Sequence, residues 1–457
     1  MSPYSSEMRS REEITADTNR KIKYTLELAY NHSPIYRSKF DALGIKPDAI
    51  TDSESLAFYI RKGLRLTKEE LIKDFRKVVM DYSNTIPITE LWSAGSTGAP
   101  KRVWYGPDDL KRSYEQVMLS YNAMGLSRGD YVVNIFSPPP NSSGPLAQQA
   151  GIDMGLHMLQ MGVQMPTDRL LQIIKMCNPK SIFAISTRMN QLPEEIEKTG
   201  ENVRDLGIES LLTGGESYSK EKKQSIKSRW GNICVSDVWA STEASVMGYM
   251  DNNCNSSGMH IVENRLLIDA VDSETLESVG VGKVGIDLIT TLYDEDERPA
   301  TVLIGYSHND LIKILDLDKC SCGRTYKMIE WPITRKDDII HLAGQNINFR
   351  LGTEASISEH SFLTGEYMAI YMPINLTRTK PYLEIRIESR IPVSDISRNE
   401  KVELENDIWS NVISNPAAEG IIFSQSDAKI QIVERGELFK GYEKHNKPGK
   451  PVRLIKL

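Results

Sequence analysis

Directly after the apolar pair Leu91-Trp92 the chain reads Ser93-Ala94-Gly95-Ser96-Thr97-Gly98-Ala99-Pro100-Lys101. Two glycines three apart, three hydroxyl side chains and a terminal lysine are the ingredients of an anion site. Glycine takes up backbone conformations barred to other residues, so main-chain N–H groups can close on a ligand. Ser93, Ser96 and Thr97 add neutral donors, and Lys101 adds a point charge for phosphate oxygens. The stretch reads as a polyphosphate cradle. It is not the loop of strand–GxxxxGK[ST]–helix proteins, because the glycine spacing differs and Arg102 follows Lys101.

A second set of residues has metal-ligand character. Cys254 and His260 are spaced Cys-x5-His, and Cys320 and Cys322 follow as Cys-x-Cys. Together they offer four soft or borderline ligands, the tetrahedral number of a structural zinc site. The remaining two of the five cysteines, Cys177 and Cys234, read as small buried hydrophobes.

These residues need elements to hold them. Apolar periodicity predicts helices over 12–43, 67–79 and 107–124, the second opening at a capping box of Thr67 and Glu70. Met154, Met158, Met161 and Met165 recur at helical spacing and predict one helix face, either core or part of an acyl pocket. From 170 to 236 helices alternate with short apolar strands, which argues a parallel sheet covered on both faces. Ligands collect at the carboxyl ends of such strands, and Gly214-Gly215-Glu216 lies just past one. After about residue 335 the pattern changes to alternating strands around one helix that starts at Ser397 and Glu400, a small α+β unit. The expected architecture is α/β, with a large domain over 1–334 and a small mobile α+β domain over 335–457.

Composition narrows the function classes. At 457 residues, 40% hydrophobic and 26% charged, the chain can bury a large core. Its net charge of −7 disfavours nucleic acid as a partner. No stretch reads as a membrane span or signal-peptide core, so a cytoplasmic protein is expected.

The order Ser-x-Gly-Ser-Thr-Gly-x-Pro-Lys resembles the phosphate loop of the adenylate-forming superfamily of acyl-CoA synthetases, aryl-acid ligases and luciferases. Further motifs follow in that superfamily's order. Asp237-Val238-Trp239-Ala240-Ser241-Thr242-Glu243 resembles its aromatic–Gly–x–Thr/Ser–Glu signature, with Ala240 in place of glycine. The resemblance implies that Trp239 stacks on adenine, Thr242 touches the α-phosphate and Glu243 holds magnesium. Gly214-Gly215-Glu216 resembles the Gly-Ala-Glu segment flanking the adenine plane. Tyr306-Ser307-His308-Asn309-Asp310 stands where Tyr-Arg-Thr-Gly-Asp is usual, which implies that Asp310 accepts from the ribose hydroxyls.

Thr334-Arg335-Lys336-Asp337-Asp338 and the loop at Gly344 resemble the hinge segment, with Arg335 reaching the nucleotide and Asp337 as pivot. Lys447-Pro448-Gly449-Lys450 resembles the closing signature, whose lysine completes the adenylation site. Asn31 to Arg37 and Cys320 to Thr325 look like segments of phenylacetate–CoA ligases, where Tyr36 and His32 read as packing residues.

The implied activity is ATP-dependent carboxylate–CoA ligation through an acyl-adenylate, with ATP, Mg2+, coenzyme A and a structural Zn2+, a small carboxylic acid as substrate, and a homodimer fitting the family. Two other readings stay open. One is adenylation of a different acceptor, such as a deazaflavin cofactor, without CoA. The other is a non-catalytic nucleotide- or acyl-adenylate-binding regulator, suggested by the departures at Ala240, Ser307, His308, Asn309 and Thr334. The stretch Ser137-Pro138-Pro139-Pro140-Asn141 departs from the aromatic-acid enzymes, which leaves aromatic, aliphatic and hydroxylated acids open.

Overall fold

The computed structural model describes residues 3–93, 100–254, 258–315, 320–342, 345–373, 381–413, 428–443 and 453–456. The amino-terminal helical pattern divides where the sequence forbids continuity. Arg11–His32 is capped by Ser10 and Glu13, and Pro34 opens a second helix, Pro34–Leu43. A proline at the first helical position loses no intrahelical bond, while in mid-helix it would. Tyr36 on this second helix is fully buried, donating its hydroxyl to the Val302 carbonyl at 2.9 Å and accepting from the Ile304 N–H at 3.0 Å. His32 instead sits at the surface beside Asp81, 3.0 Å away. The Thr67 capping box forms as expected, but the helix is short: Lys68–Lys73 ends at Asp74 and a last turn covers Phe75–Val78.

An eight-stranded sheet organises the rest. Its order is Met328–Glu330, Gly258–Ile261, Ser245–Tyr249, Cys234–Ser241, Ser210–Gly214, Ser181–Phe183, Tyr131–Asn134 and His157–Gln160. The run from Cys234–Ser241 to His157–Gln160 is parallel, and the opposite flank is antiparallel. Every residue of Ser181–Phe183 and Ser210–Gly214 is buried, as expected for central strands covered on both faces. Helices Pro107–Ala123, Ser143–Met154, Thr167–Cys177, Ser186–Glu197 and Lys220–Arg229 supply that cover.

The predicted methionine helix is not formed. Gly155, at φ 85°, ends the helix at Met154, and Met158 lies in the edge strand His157–Gln160. Met154 and Met158 pack on one side of the sheet, Met161 and Met165 on the other. Met158 crosses Gly151 so closely that a Cβ there would come within 2.2 Å of its sulfur. The four-three-four spacing thus arose from a helix end, a strand and a turn. Cys177 and Cys234 are half-buried, not buried as expected.

Beside this sheet lies an antiparallel one of Leu266–Val271, Val284–Thr291, Asp310–Lys313 and Thr334–Arg335. A small four-stranded sheet follows, ordered Ala428–Val433, Tyr382–Ser389, Leu363–Met372 and Leu454–Lys456. Helices Phe349–Glu359 and Arg398–Ile413 pack on it around Phe349, Tyr367, Leu404 and Ile408. The architecture is α/β with a large domain and a small C-terminal α+β domain. Among the described residues no helix is long and apolar enough to cross a membrane.

A candidate nucleotide site and a cysteine–histidine cluster

The two strands that flank the cradle sequence pair as a β-hairpin. Thr89–Trp92 pairs antiparallel with Arg102–Tyr105, and the base is closed twice: the Ser93 N–H donates to the Lys101 carbonyl, and the Lys101 N–H to Ser93 Oγ, both at 2.9 Å. Gly95, Ser96, Thr97 and Gly98 lie outside the described residues, as do Gly344 and Lys450. Lys101 extends from the hairpin base to form an ion pair with Glu243 and donates to the Tyr306 hydroxyl at 3.3 Å. Tyr306 in turn donates to Glu243 Oε1 at 3.0 Å. Burial would raise the Glu243 pKa, but the charges of Lys101 and His308 outweigh it and hold the carboxyl down to about 2. The site therefore holds a committed carboxylate.

Glu243 follows the strand Cys234–Ser241 at its carboxyl end, the position at which ligands meet parallel sheets. Ala240 is exposed there, and Thr242 is fixed from two sides. The Tyr105 hydroxyl donates to the Thr242 carbonyl, and Ser142 Oγ lies 3.3 Å from Thr242 Oγ1. Ser142 belongs to the proline-rich loop after the strand Tyr131–Asn134, a contact the sequence gave no reason to expect.

Trp239 is buried, with its indole N–H donating to Asp310 Oδ2 at 2.7 Å. Arg335 Nε approaches Asp310 Oδ1 at 3.3 Å across the paired strands Asp310–Lys313 and Thr334–Arg335. Burial raises the Asp310 pKa, partly offset by Arg335. The sequence-predicted residues Lys101, Trp239, Thr242, Glu243, Asp310 and Arg335 thus share one cluster, linked by these contacts.

One further member was missed. Asp287 lies fully buried between Ile286 and Leu288 in the strand Val284–Thr291, where a carboxylate has to be paired. It accepts from the Ser307 hydroxyl at 3.0 Å, from the N–H groups of His308 and Asp310, and faces His308 Nδ1 at 2.9 Å. One acid therefore shapes the whole 306–310 turn, in which Asn309 takes φ 63°. The sequence signal was present: a lone aspartate between Ile286 and Leu288.

Four other candidates stand outside these contacts. Gly214 is close-packed, since a Cβ would meet Val238 Cγ2 at 2.7 Å, and Gly215 takes φ 79°. Glu216 accepts from Ser186 Oγ at 2.8 Å and from the Thr187 N–H at 2.9 Å, so it caps the start of the helix Ser186–Glu197. Burial raises its pKa, but Lys222, Arg453 and Arg350 bring it below the ordinary carboxylate range. Asp237 accepts from Thr213 Oγ1 at 2.9 Å and Trp331 Nε1 at 2.8 Å, and burial pushes its carboxyl up to about 7.

Cys254, His260, Cys320 and Cys322 do meet. Their ligand atoms all lie within 4.8 Å of one another. His260 Nε2 is 3.3 Å from both Cys254 and Cys322, and Cys254 is 3.3 Å from Cys320, far beyond a disulfide bond. His260 Nδ1 lies 3.2 Å from the Tyr326 carbonyl. A carbonyl only accepts, so Nδ1 carries the hydrogen and Nε2 offers its lone pair to the cysteines. Burial lowers the His260 pKa to about 4, which keeps that lone pair free at neutral pH. A three-sulfur, one-nitrogen set of this size fits tetrahedral zinc.

The sheet with its parallel run and antiparallel flank, followed by the small C-terminal α+β domain, is the fold of adenylate-forming enzymes. A 2-hydroxyisobutyryl-CoA ligase solved in the postadenylation state with 2-HIB-AMP superposes with a TM-score of 0.83 at 19% identity, covering 99% of this chain and 91% of that one. In its open conformation with 2-HIB-AMP and CoA the TM-score is 0.67 at 19% identity, over 98% and 93%. Among curated proteins, the phenylacetate-coenzyme A ligase of Thermus thermophilus is 27% identical over 341 residues, 74% of each chain. That of Escherichia coli is 26% identical over 387 residues, 84% of each. No protein-family model matches. In sequence and in fold, the chain resembles the phenylacetate–CoA ligase family of the adenylate-forming superfamily.

The Lys101–Glu243 pair sets a pH dependence. The folded pKa of Glu243, about 2, lies below its ordinary 4.5, so the pair stabilises the fold above about pH 4.5 and is lost as pH falls through the folded value. Lys101→Met leaves a buried carboxylate without its cation and should cost roughly 3 kcal/mol at neutral pH. That deficit should shrink as pH is lowered towards 4.5, where Glu243 takes up a proton in the variant. Urea denaturation of both proteins across this range checks the sign, and a pH-independent deficit would count against it.

Proposed function

We propose that the chain is an ATP-dependent carboxylate–CoA ligase. The observation that carries this is the convergence, at the carboxyl end of one buried strand, of Lys101, Thr242, Glu243, Asp310 and Arg335 from four separate segments. In the first step a substrate carboxylate attacks the α-phosphorus of ATP, giving an acyl-adenylate and pyrophosphate. In the second, the CoA thiol attacks the acyl carbon and AMP leaves. Such a displacement is catalysed by positioning and charge neutralisation.

Each residue has a task that its position supports. Lys101 is released from Glu243 to phosphate oxygens. The freed Glu243 is an oxygen ligand suited to magnesium, which when bound supplies charge neutralisation at the phosphates. Asp310, oriented by Trp239 and Arg335, accepts from the ribose hydroxyls. Gly215, with nothing within 4 Å of where a Cβ would stand, leaves space beside the base, while Gly214 packs on Val238 and Glu216 and Asp237 hold the walls of the site. Trp239 serves through Asp310 as well as through its ring.

The small domain, taken from residue 335 onward, turns about Asp337 between the steps. Lys450 serves adenylation, and the loop at Gly344 takes its place for thioester formation. Contacts across the two domains fit the first arrangement: Arg453 to Thr187 Oγ1 at 2.9 Å, Asn190 to the Thr364 carbonyl at 3.0 Å, and the Ser219 N–H to Glu354 at 2.8 Å. The higher likeness to the postadenylation structure agrees with it. Zinc at Cys254, His260, Cys320 and Cys322 has a structural task. It joins the loops beside the sheet edge, against which residues Ser6 to Arg9 are hydrogen-bonded through Thr325 and Tyr326. We further propose a cytoplasmic enzyme and a homodimer, the state that fits the family it resembles.

The deciding assay is AMP and pyrophosphate release from MgATP over aromatic, short aliphatic and hydroxylated acids, with and without CoA. AMP release that needs both an acid and CoA is expected; turnover without CoA would indicate another acceptor, and silence a binding protein. Lys450→Ala should abolish acyl-adenylate formation and spare thioester formation from supplied acyl-adenylate. Loss of both half-reactions would refute the two arrangements. Cys320→Ser should lose stoichiometric zinc by elemental analysis and lower the thermal midpoint by several degrees, roughly 2 kcal/mol of stability.

A further inference from the structure

The helix Ser143–Met154 opens at Ser142, whose hydroxyl does not do what serine does at that position. An N-cap serine ordinarily accepts from an N–H two or three residues on and satisfies one of the free donors of the first turn. Ser142 makes no such bond. Its Oγ donates instead to Thr242 Oγ1 at 3.3 Å, 100 residues along the chain. Ser142 is only 9% exposed, so a helix cap has been forgone for this partner.

The loop that carries Ser142 is built to hold it there. The Gly144 N–H donates to the Ser137 carbonyl, Asn134 Nδ2 donates to the Gly144 carbonyl, and Asn134 Oδ1 accepts from the Phe136 N–H, each at 3.1 Å. A Cβ at Gly144 would stand 2.4 Å from the Ser137 oxygen, so this closure admits only glycine. At the tip of the loop the Pro140 carbonyl accepts from the Trp92 N–H at 2.8 Å, which ties it to the base of the hairpin that ends in Lys101. Thr242 is held independently through its main chain, the carbonyl accepting from the buried Tyr105 hydroxyl.

A hydroxyl that accepts keeps its own hydrogen. With Ser142 donating to Oγ1, Thr242 has one O–H left to give, and a chain of hydroxyls makes its last member a stronger donor. Among the described residues no acceptor takes that hydrogen, and Thr242 stands half-buried at the carboxyl end of its strand, where an anion could. At 3.3 Å the contact is looser than an ordinary O–H···O bond, as catalytic hydrogen bonds often are until substrate tightens them.

We propose that Ser142 is a positioning residue for adenylation: it fixes the Thr242 hydroxyl so that its hydrogen is aimed at an α-phosphate oxygen as the substrate carboxylate attacks. The inference rests on Thr242 meeting the α-phosphate, as in the proposed function. It also gives the proline-rich loop a task, as one support joining the hairpin base to Thr242.

The test is the rate of acyl-adenylate formation at varied MgATP, with the acid of highest turnover in the panel. Ser142→Ala should lower kcat and kcat/KM for MgATP alike, about tenfold, the mark of an interaction made in the transition state. Ser142→Thr, which keeps the donor, should recover most of the rate. Because the Ser142 side chain caps nothing, the alanine variant should keep the wild-type thermal midpoint; a drop of several degrees, or a failure to fold, would make the residue a helix cap and overturn the proposal. In a Thr242→Val background the same alanine substitution should cost nothing further, since its effect passes through the Thr242 hydroxyl. An unchanged rate in the single variant, an undiminished loss in the valine background, or an equal slowing of thioester formation from supplied acyl-adenylate would each overturn it as well. A wild-type chain that forms no acyl-adenylate with any acid of the panel overturns the ligase reading instead, and the role of Ser142 with it.

Discussion

The ion pair between Lys101 and Glu243 is the interaction on which the site depends. Two charged side chains removed from water cost far more than an exposed pair returns, unless each is matched and further hydrogen-bonded. Here the match includes Tyr306, which accepts from the lysine and donates to the carboxylate. The result is a site charged in advance of any ligand. On the proposed function, a phosphate arriving at Lys101 and a cation arriving at Glu243 would each replace half of an existing pair, so neither would have to create a charge in a dry pocket. On that reading nucleotide and metal are coupled, since either alone would leave one member of the pair uncompensated.

The sheet explains why these two residues meet. Lys101 is carried by a separate two-stranded hairpin and Glu243 by the last strand of the parallel run. After Glu243 the chain reverses direction into Ser245–Tyr249, with Ser245 at φ 61°. The change from parallel to antiparallel therefore falls at the site. The second sheet then supplies Asp287, Tyr306, His308 and Asp310 from adjoining strands, closing the cleft from the other side. Polar residues buried on these strand ends are tolerated because each is paired, and Asp287 alone accounts for the conformation of four consecutive residues.

How much of this was legible in the sequence depended on whether a residue's role is local. The hairpin lysine, Glu243, Asp310 and the cysteine set carry their chemistry in short runs, and the structure brings each set together. The small sheet was readable from its alternation, whereas the single helical run expected over 12–43 overlooked the break that Pro34 imposes. The methionine spacing misled, because a period near 3.6 over four residues cannot exclude a helix end followed by a strand. The resemblance puts the backbone of Gly214-Gly215-Glu216 beside the base and says nothing of the Glu216 side chain, whose oxygens are spent on Ser186 and Thr187, partners about thirty residues away that no local pattern announces. Asp287 and Ser142 were missed for the same reason: their importance lies in the turns they hold.

Glu216 also shows how the two domains communicate. It lies in the loop after Gly214 and Gly215, and the cations that lower its pKa include Arg453 and Arg350 of the small domain. Arg350 donates to the Ser217 carbonyl, and Glu354 accepts from the Ser219 N–H, so the same loop is held at two points by the small domain. Arg453 is itself buried, spanning Glu366 and the Tyr367 carbonyl on its own sheet and Thr187 across the boundary. A guanidinium so placed has no solvent to fall back on if the boundary opens, and Glu216 would lose Arg453 and Arg350 at the same moment, keeping Lys222 as its cation. The loop after Gly214 and Gly215 and the docking of the small domain are consequently one electrostatic unit, and a change at either is felt at the other.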